Sequence, residues 1–195
     1  MIVGNDTSTA IAGLRSWQKE LHGKAEYEVA RRVLRASLKV ADAFSHVRSP
    51  GVYGFEYPEV IDGQPFDFLR STPELRAKAN THVYSNRWKR MSEASTELEV
   101  EVREADVMWG PRVRDLLSPL LACRAELAMA IEDWLVVERD GRALDDATRP
   151  VRNDAIIYES TTKDSQVFTA RIQKTIDALD KCLRPCMGRS KLTRG

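Results

Sequence analysis

Residues 84–109, YSNRWKRMSEASTELEVEVREADVMW, carry the clearest periodic pattern in the chain. The residues expected on one face of a helix are spaced 4, 3, 4, 3, 4, 3 and 4 positions apart. They are Tyr84, Trp88, Met91, Ser95, Leu98, Val102, Ala105 and Trp109. This spacing is typical of a helix that packs along a second helix. We call Tyr84, Trp88, Met91, Leu98, Val102 and Trp109 the seam. We expect the seam to contact a helix of the same chain or of another subunit.

The seam belongs to one arm of a predicted helical hairpin. Its helix begins at Thr72-Pro73, a cap followed by a proline at the first helical position, and ends at Gly110-Pro111. A second long helix is predicted over about residues 8–48, where apolar residues recur every three or four positions. Gly23 lies inside that run, and we expect the helix to bend or split there.

Two further helices are predicted after the hairpin. One runs from Pro111 to about Arg139, and Pro119 predicts a break within it. The other covers about residues 164–183 and ends at Arg184-Pro185. Residues 151–160 fit a short helix or a strand equally well. The sequence therefore predicts an all-α fold, with a long antiparallel helical hairpin within a four-helix bundle.

Composition supports one folded domain. Of 195 residues, 43% are hydrophobic and 30% are charged, which excludes a disordered chain and a collagen-like repeat. No apolar run approaches the roughly 18 residues of a membrane span, so we expect no membrane partner. We predict a helical domain over residues 1–185 and a basic, flexible tail over 186–195.

The N-terminus and the cysteines indicate a cytoplasmic protein. Residues 1–6 lack the basic start and apolar core of a secretory signal. Cys123, Cys182 and Cys186 are odd in number, which favours free thiols in a reducing compartment.

Residues 49–72, which we call the aromatic connection, differ in kind from the helices. This stretch, SPGVYGFEYPEVIDGQPFDFLRST, holds three prolines, three glycines and half of the chain's ten Phe and Tyr residues. Those rings are the candidate recognition residues Tyr53, Phe55, Tyr57, Phe66 and Phe68. The connection either recognises a ligand or partner, or covers the bundle core.

Polar residues near the same end of the hairpin form a candidate pocket. An antiparallel hairpin brings the end of its first helix close to the start of its second. The candidate lining residues are Asp42, His46, Arg48, His82 and Arg87. Solvated side chains at helix ends account for the same pattern, so both interpretations stay open.

Charge is distributed unevenly between the two arms. Residues 15–48 are rich in Lys and Arg, whereas residues 91–106 carry six acids and only Arg103. Neighbouring helices with these faces would pair their charges. The last fifteen residues hold five basic side chains and no acid, and such a tail can contact nucleic acid.

No motif for catalysis, a metal or a cofactor is found. The three histidines are far apart, and Cys182 and Cys186 supply at most half of a zinc site. The Gly-rich loops that bind nucleotides and the Gly-x-Ser-x-Gly elbow are absent. We therefore expect no catalytic residue, metal ligand or cofactor.

Two resemblances bear on function. Arg76 and His82, and likewise Arg15 and His22, have a spacing similar to the Arg–His motif of the HEPN ribonucleases, which are helical bundles, although Ala77 stands where that family has a polar residue. Residues 23–35, 40–44, 104–110 and 157–185 resemble small helical bacterial proteins without an assigned activity. That second resemblance implies a bacterial, helical protein and no site residues.

Three functional hypotheses remain. The first is a non-catalytic cytoplasmic protein that binds another protein or assembles with itself through the seam and the aromatic connection. The second is a HEPN-like ribonuclease or other nucleic-acid-directed effector, in which His82 would be essential. The third is a sensor that holds a small ligand under the aromatic connection.

Overall fold

The chain forms four long helices and one short helix in the part described by a computed structural model, residues 6–140 and 149–188. The helices are α1 (Asp6–Val47), α2 (Pro73–Trp109), α3 (Arg112–Asp140), α4 (Arg149–Ile157) and α5 (Lys163–Gly188). Helix α1 packs on α2 and α5, and α3 packs on the same two helices. The all-α fold and the four-helix bundle are confirmed.

Helices α1 and α2 form the predicted antiparallel hairpin. Lys39 of α1 lies 2.7 Å from Glu97 of α2. Arg32, seven residues earlier in α1, lies 2.8 Å from Glu101 of α2. Because the α1 positions fall as the α2 positions rise, these pairs fix the antiparallel direction. The predicted pairing of a basic face with an acidic face is confirmed by these contacts.

The core runs the length of the bundle and draws on all five helices. Its fully buried side chains include Phe44 of α1, Met91 of α2, Leu120 of α3, Ile157 of α4 and Leu179 of α5. Burial of each such side chain contributes about 1.5–3 kcal/mol to folding. The core therefore holds together segments that are far apart in sequence.

Gly23 does not split α1, so that part of the expectation was wrong. Helix α1 continues through this residue, where a single glycine costs only about 1 kcal/mol. Two polar pairs, each joining residues four positions apart, span Gly23: Lys24 lies 2.9 Å from Glu20, and His22 lies 3.6 Å from Glu26. Pairs at this spacing support a helix locally.

Two prolines also lie inside helices, contrary to expectation. Helix α3 continues through Pro119, and α5 continues past Pro185 to Gly188. Both prolines are exposed, so water can bond the carbonyl that each proline leaves without a partner. The predicted tail therefore loses residues 186–188 to α5, and its remainder lies outside the described residues.

The two undecided segments now have definite structures. Residues 149–157 form helix α4, which removes the strand alternative. The aromatic connection contains a small antiparallel ribbon, in which β1 (Val60–Ile61) pairs with β2 (Gln64–Pro65). Asp62 and Gly63 make its turn with positive φ angles of 52° and 79°. Asp-Gly is a favoured sequence for such a two-residue turn.

Candidate interaction site at the helix connection

Arg87 of α2 holds the aromatic connection against the bundle. Its buried guanidinium donates hydrogen bonds to the main-chain carbonyls of Ser49, at 2.9 Å, and Gly51, at 2.6 Å. Two more bonds reach Glu56: Nε lies 2.6 Å from Oε2, and Nη2 lies 2.9 Å from Oε1. A planar guanidinium matches a carboxylate in this two-bond geometry. These hydrogen bonds from Arg87 hold residues 49–56 of the aromatic connection against α2.

Glu56 completes the turn that presents the exposed rings. Its carboxylate also accepts a hydrogen bond from the main-chain N–H of Tyr53 at 3.1 Å. Hydrogen bonds from Arg87 lower the pKa of Glu56 below its ordinary value, so the carboxylate is charged at neutral pH. The short turn Gly54–Glu56 is thereby closed at both ends.

Tyr53 and Phe55 form a stacked pair that faces solvent. Their ring centroids are 5.6 Å apart and their planes differ by 5°. Tyr53 is 61% exposed and Phe55 is 86% exposed, so neither ring covers the core. We call these two side chains the ring pair. Large aromatic side chains left this open are typical of binding surfaces rather than of structural loops.

A cleft of about 310 Å³ lies beside the ring pair, and we call it the loop cleft. Its walls come from the end of α1, the connection and the first turns of α2. The lining residues are His46, Ser49, Tyr53, Phe55, Glu56, His82, Val83, Asn86 and Arg87. The site is thus built where the two arms of the hairpin meet.

One wall of the loop cleft carries a short polar chain along α2. Asn86 Nδ2 lies 2.8 Å from His82 Nε2, so the amide donates and the imidazole accepts. Lys89 Nζ donates to Asn86 Oδ1 at 2.9 Å. These three side chains are exposed, and they place one ammonium and one imidazole at the edge of the cleft.

His46 forms part of the opposite wall. The protein packed against its ring, and then the positive charges of Arg90 and Arg87, lower its pKa. Glu56 opposes this shift without cancelling it. His46 is therefore neutral at neutral pH, and the charge near it is positive.

The other three rings of the connection form a separate group. Tyr57 lies 5.5 Å from Phe66 and 5.3 Å from Phe68 between ring centroids. The guanidinium of Arg76 lies 5.9 Å from the Phe68 centroid, within the range of a cation–π contact. Lys78 of α2 binds Asp62 at 2.7 Å and ties the ribbon to the helix. Tyr57 and Phe66 are half-buried and Phe68 is 40% exposed, so these three rings are less open to solvent than the ring pair.

The structure brings together three of the five residues proposed for a polar pocket. His46, His82 and Arg87 line the loop cleft. Asp42 is exposed and does not line it, and Arg48 points to the other side of α1. Asp42 lies one helical turn before His46 and does not reach the cleft. Arg48 lies two residues after His46, so its side chain points in a different direction from that of His46.

Arg48 instead joins α1 to α4 and α5. Its buried guanidinium donates to the carbonyl of Ile156 at 2.7 Å and to the hydroxyls of Thr169 at 2.8 Å and Ser165 at 3.0 Å. The carbon of the guanidinium lies 4.7 Å from the ring centroid of Phe168. Arg48 is therefore a structural residue of the bundle.

The seam faces the interior of its own chain. Tyr84, Met91, Leu98 and Val102 are buried, and Trp88 and Trp109 are half-buried against the core. Tyr84 packs edge-on against Trp134 of α3, with 5.4 Å between ring centroids. Helices α1 and α3 supply the helical partners that the spacing required.

Sequence reasoning missed Glu56 and Asn86. Glu56 lies among the aromatic residues that drew attention to the connection, and its charge within an apolar stretch was the available signal. Asn86 lies four residues after His82, a spacing that puts both side chains on one face of α2.

The Arg–His pair with HEPN-like spacing does not converge. Arg76 contacts Phe68 in the supporting aromatic group, whereas His82 lines the loop cleft. Six residues of helix turn the chain by about 600°, which directs the two side chains to different faces. Arg15 and His22 lie on the exposed early part of α1.

Within residues 6–140 and 149–188, no three His, Cys, Asp or Glu side chains are grouped closely enough to bind a metal ion. None of the described helices combines the length and the hydropathy needed to cross a membrane. The sequence matches no family model, and no curated protein and no solved structure shows significant similarity to it.

Proposed function

We propose that this protein acts by binding another protein at the ring pair and the loop cleft. The partner segment would place an aromatic or aliphatic side chain on the ring pair and an acidic side chain in the cleft. The observation that carries this proposal is the stacked, exposed Tyr53–Phe55 pair on a connection that Arg87 holds in place.

Rigidity of the loop supports a binding role. Ordering a mobile loop on association costs free energy, and a loop ordered beforehand avoids that cost. Here the bonds from Arg87 to Ser49, Gly51 and Glu56 order the loop within the free chain. Stacked rings with few rotatable bonds supply contact area at low entropic cost.

The charges around the cleft favour an acidic partner. Glu56 is the one carboxylate among the residues that line it, and Arg87 balances that charge. Lys89 at the edge and Arg90 near His46 leave the surroundings positive. A partner carboxylate would be attracted to this site, and a partner ammonium would be repelled.

A peptide-display selection on the immobilised full chain tests the proposal. We expect enriched peptides to combine an acidic residue with an aromatic or aliphatic one, and to bind Y53S/F55S at least about tenfold more weakly than wild type, a loss of 1.4 kcal/mol. V107S is the matched control because Val107 is also an exposed apolar residue but lies far along α2.

Three results would overturn the proposal. One is equal binding of the selected peptides to wild type and Y53S/F55S. Another is a dimer in size-exclusion chromatography with light scattering that dissociates in Y53S/F55S, which would make a second copy the occupant. The third is cleavage or retention of single-stranded RNA that is lost in His82→Ala, which would favour the nucleic-acid hypothesis.

A further inference from the structure

A second cavity, distant from the aromatic connection, lies between α2 and α3 and reaches α1. Its volume is about 320 Å³, at the small end of the roughly 300–1,000 Å³ of small-molecule sites. Apolar side chains form its wall: Val40, Leu98, Val102, Leu117, Leu120 and Leu121. The wall suits an aliphatic chain.

One buried hydroxyl in the cavity has no partner. Ser95 is 4% exposed, and its Oγ makes no hydrogen bond within the described residues. Two other buried hydroxyls bond the carbonyl four residues earlier: Ser37 bonds Val33 at 2.8 Å, and Thr175 bonds Arg171 at 3.0 Å. A buried hydroxyl without a partner is destabilising, and a ligand that bonds it removes that cost.

Three arginines are among the residues that line the cavity. Arg103, Arg114 and Arg124 line it, with Glu99 as the one lining carboxylate. Arg114 pairs with Asp106 outside the cavity, and Arg124 lies 3.8 Å from Glu99. Arg103 has no ion-pair partner in the described part of the chain, so the edge has a positive charge available for an anion.

The polar groups lie at opposite ends of the apolar wall. Ser95 and Arg103 are eight residues apart on α2, which separates them by about 12 Å along the helix axis. We propose that this cavity binds a medium-chain aliphatic carboxylate with a hydroxyl group at its far end. The carboxylate would meet Arg103, the chain would lie on Leu98, Val102 and Leu117, and the hydroxyl would bond Ser95.

Calorimetric titration of the full chain with three probes tests this assignment. The probes are 10-hydroxydecanoate, decanoate and 1-decanol. We expect 10-hydroxydecanoate to bind about threefold to tenfold more tightly than decanoate, because it gains one hydrogen bond to Ser95. We expect 1-decanol to bind most weakly, since it has no charge for Arg103.

Variants locate the site. In S95A, 10-hydroxydecanoate and decanoate should bind equally, since only the first probe uses the hydroxyl. R103Q should weaken both carboxylates about tenfold, equal to 1.4 kcal/mol, and leave 1-decanol unchanged. R35Q is the matched control, because Arg35 is an exposed arginine that does not line the cavity.

A filled cavity gives an independent readout. V102F places a ring in the cavity and should abolish binding of all three probes while helicity by circular dichroism stays at the wild-type level. If V102F does not fold, L121F at the more exposed edge replaces it. Absence of binding to wild type, or binding that survives both R103Q and the filling variant, would overturn the assignment. Neither result depends on the ring pair, so the proposed function is tested separately.

Discussion

Two buried arginines join segments that are far apart in sequence. Arg87 binds the main chain of residues 49–51 and the carboxylate of Glu56, and Arg48 binds the end of α4 and the start of α5. Each guanidinium donates to several acceptors at once, as its five N–H groups allow. Loss of either side chain would remove several hydrogen bonds at once. Arginine is usually a surface residue, but these two arginines have a structural role.

The imidazole of His46 should report the positive field of the loop cleft. We expect its pKa in the folded protein to lie below the ordinary value of 6.5, because of the protein packed against it and the charges of Arg90 and Arg87. A histidine whose folded pKa is lowered binds fewer protons when folded than when unfolded between those two values. The contribution of His46 to the free energy of unfolding should therefore be greatest above pH 6.5 and should be lost as the pH drops below it.

NMR titration of the His46 ring protons measures this directly. R90Q removes one positive charge and should raise the pKa of His46 toward 6.5. A control substitution, R35Q, removes an exposed arginine from α1 that is not among the causes of the shift. A His46 pKa at or above 6.5 in wild type, or one unchanged by R90Q, would contradict a positive electrostatic field in the loop cleft.

At the scale of a helix, Pro119 is an exposed defect that α3 tolerates. The proline leaves one carbonyl of the preceding turn without its helical hydrogen bond. P119A restores that bond, and we expect it to raise the free energy of unfolding by about 1–3 kcal/mol. Chemical denaturation followed by circular dichroism measures the change.

Pro73 provides the matched comparison for Pro119. It occupies the first turn of α2, where Thr72 is the cap and a proline fits without loss of a helical bond. P73A should change the free energy of unfolding by no more than about 0.5 kcal/mol. A destabilised P119A variant would mean that the proline itself shapes α3 for its packing on α5.

At the scale of the whole molecule, the buried seam ties the hairpin to the rest of the bundle. Leu98 is 4% exposed in the core, whereas Val100, two residues later, is 56% exposed. L98D would remove an apolar core contact and place a carboxylate among apolar side chains, and we expect a loss of roughly 5 kcal/mol or more, which equals the whole stability of a marginally stable domain. V100D should leave helicity and mass unchanged.

Circular dichroism and light scattering together distinguish the two roles that the heptad pattern allowed. An unfolded L98D variant with a folded V100D control agrees with packing inside one chain. A folded L98D variant with a reduced mass would show instead that the seam contacts another subunit.

Much of the fold could be predicted from local pattern. The steps from Tyr84 to Trp109, the cap at Thr72 and the stop at Gly110 each depend on neighbours a few residues away. Pro119 and Pro185 were misjudged because a local penalty of a few kcal/mol is smaller than the burial free energy of a long helix, and Gly23 was misjudged because one glycine costs a helix only about 1 kcal/mol. Solvent exposure of the two prolines, which the sequence does not record, lowered that penalty further.

The all-α class, the hairpin and the charge pairing between its arms could be predicted from the chain alone, because they follow from periodicity and from the sign of neighbouring faces. Which side chains share a site depends instead on how the helices pack. Arg48 and His46 are two residues apart, yet one joins α4 to α5 and the other lines the loop cleft. The ring pair and the Ser95 cavity likewise depend on which surfaces remain uncovered after packing, and that is a property of the assembled bundle.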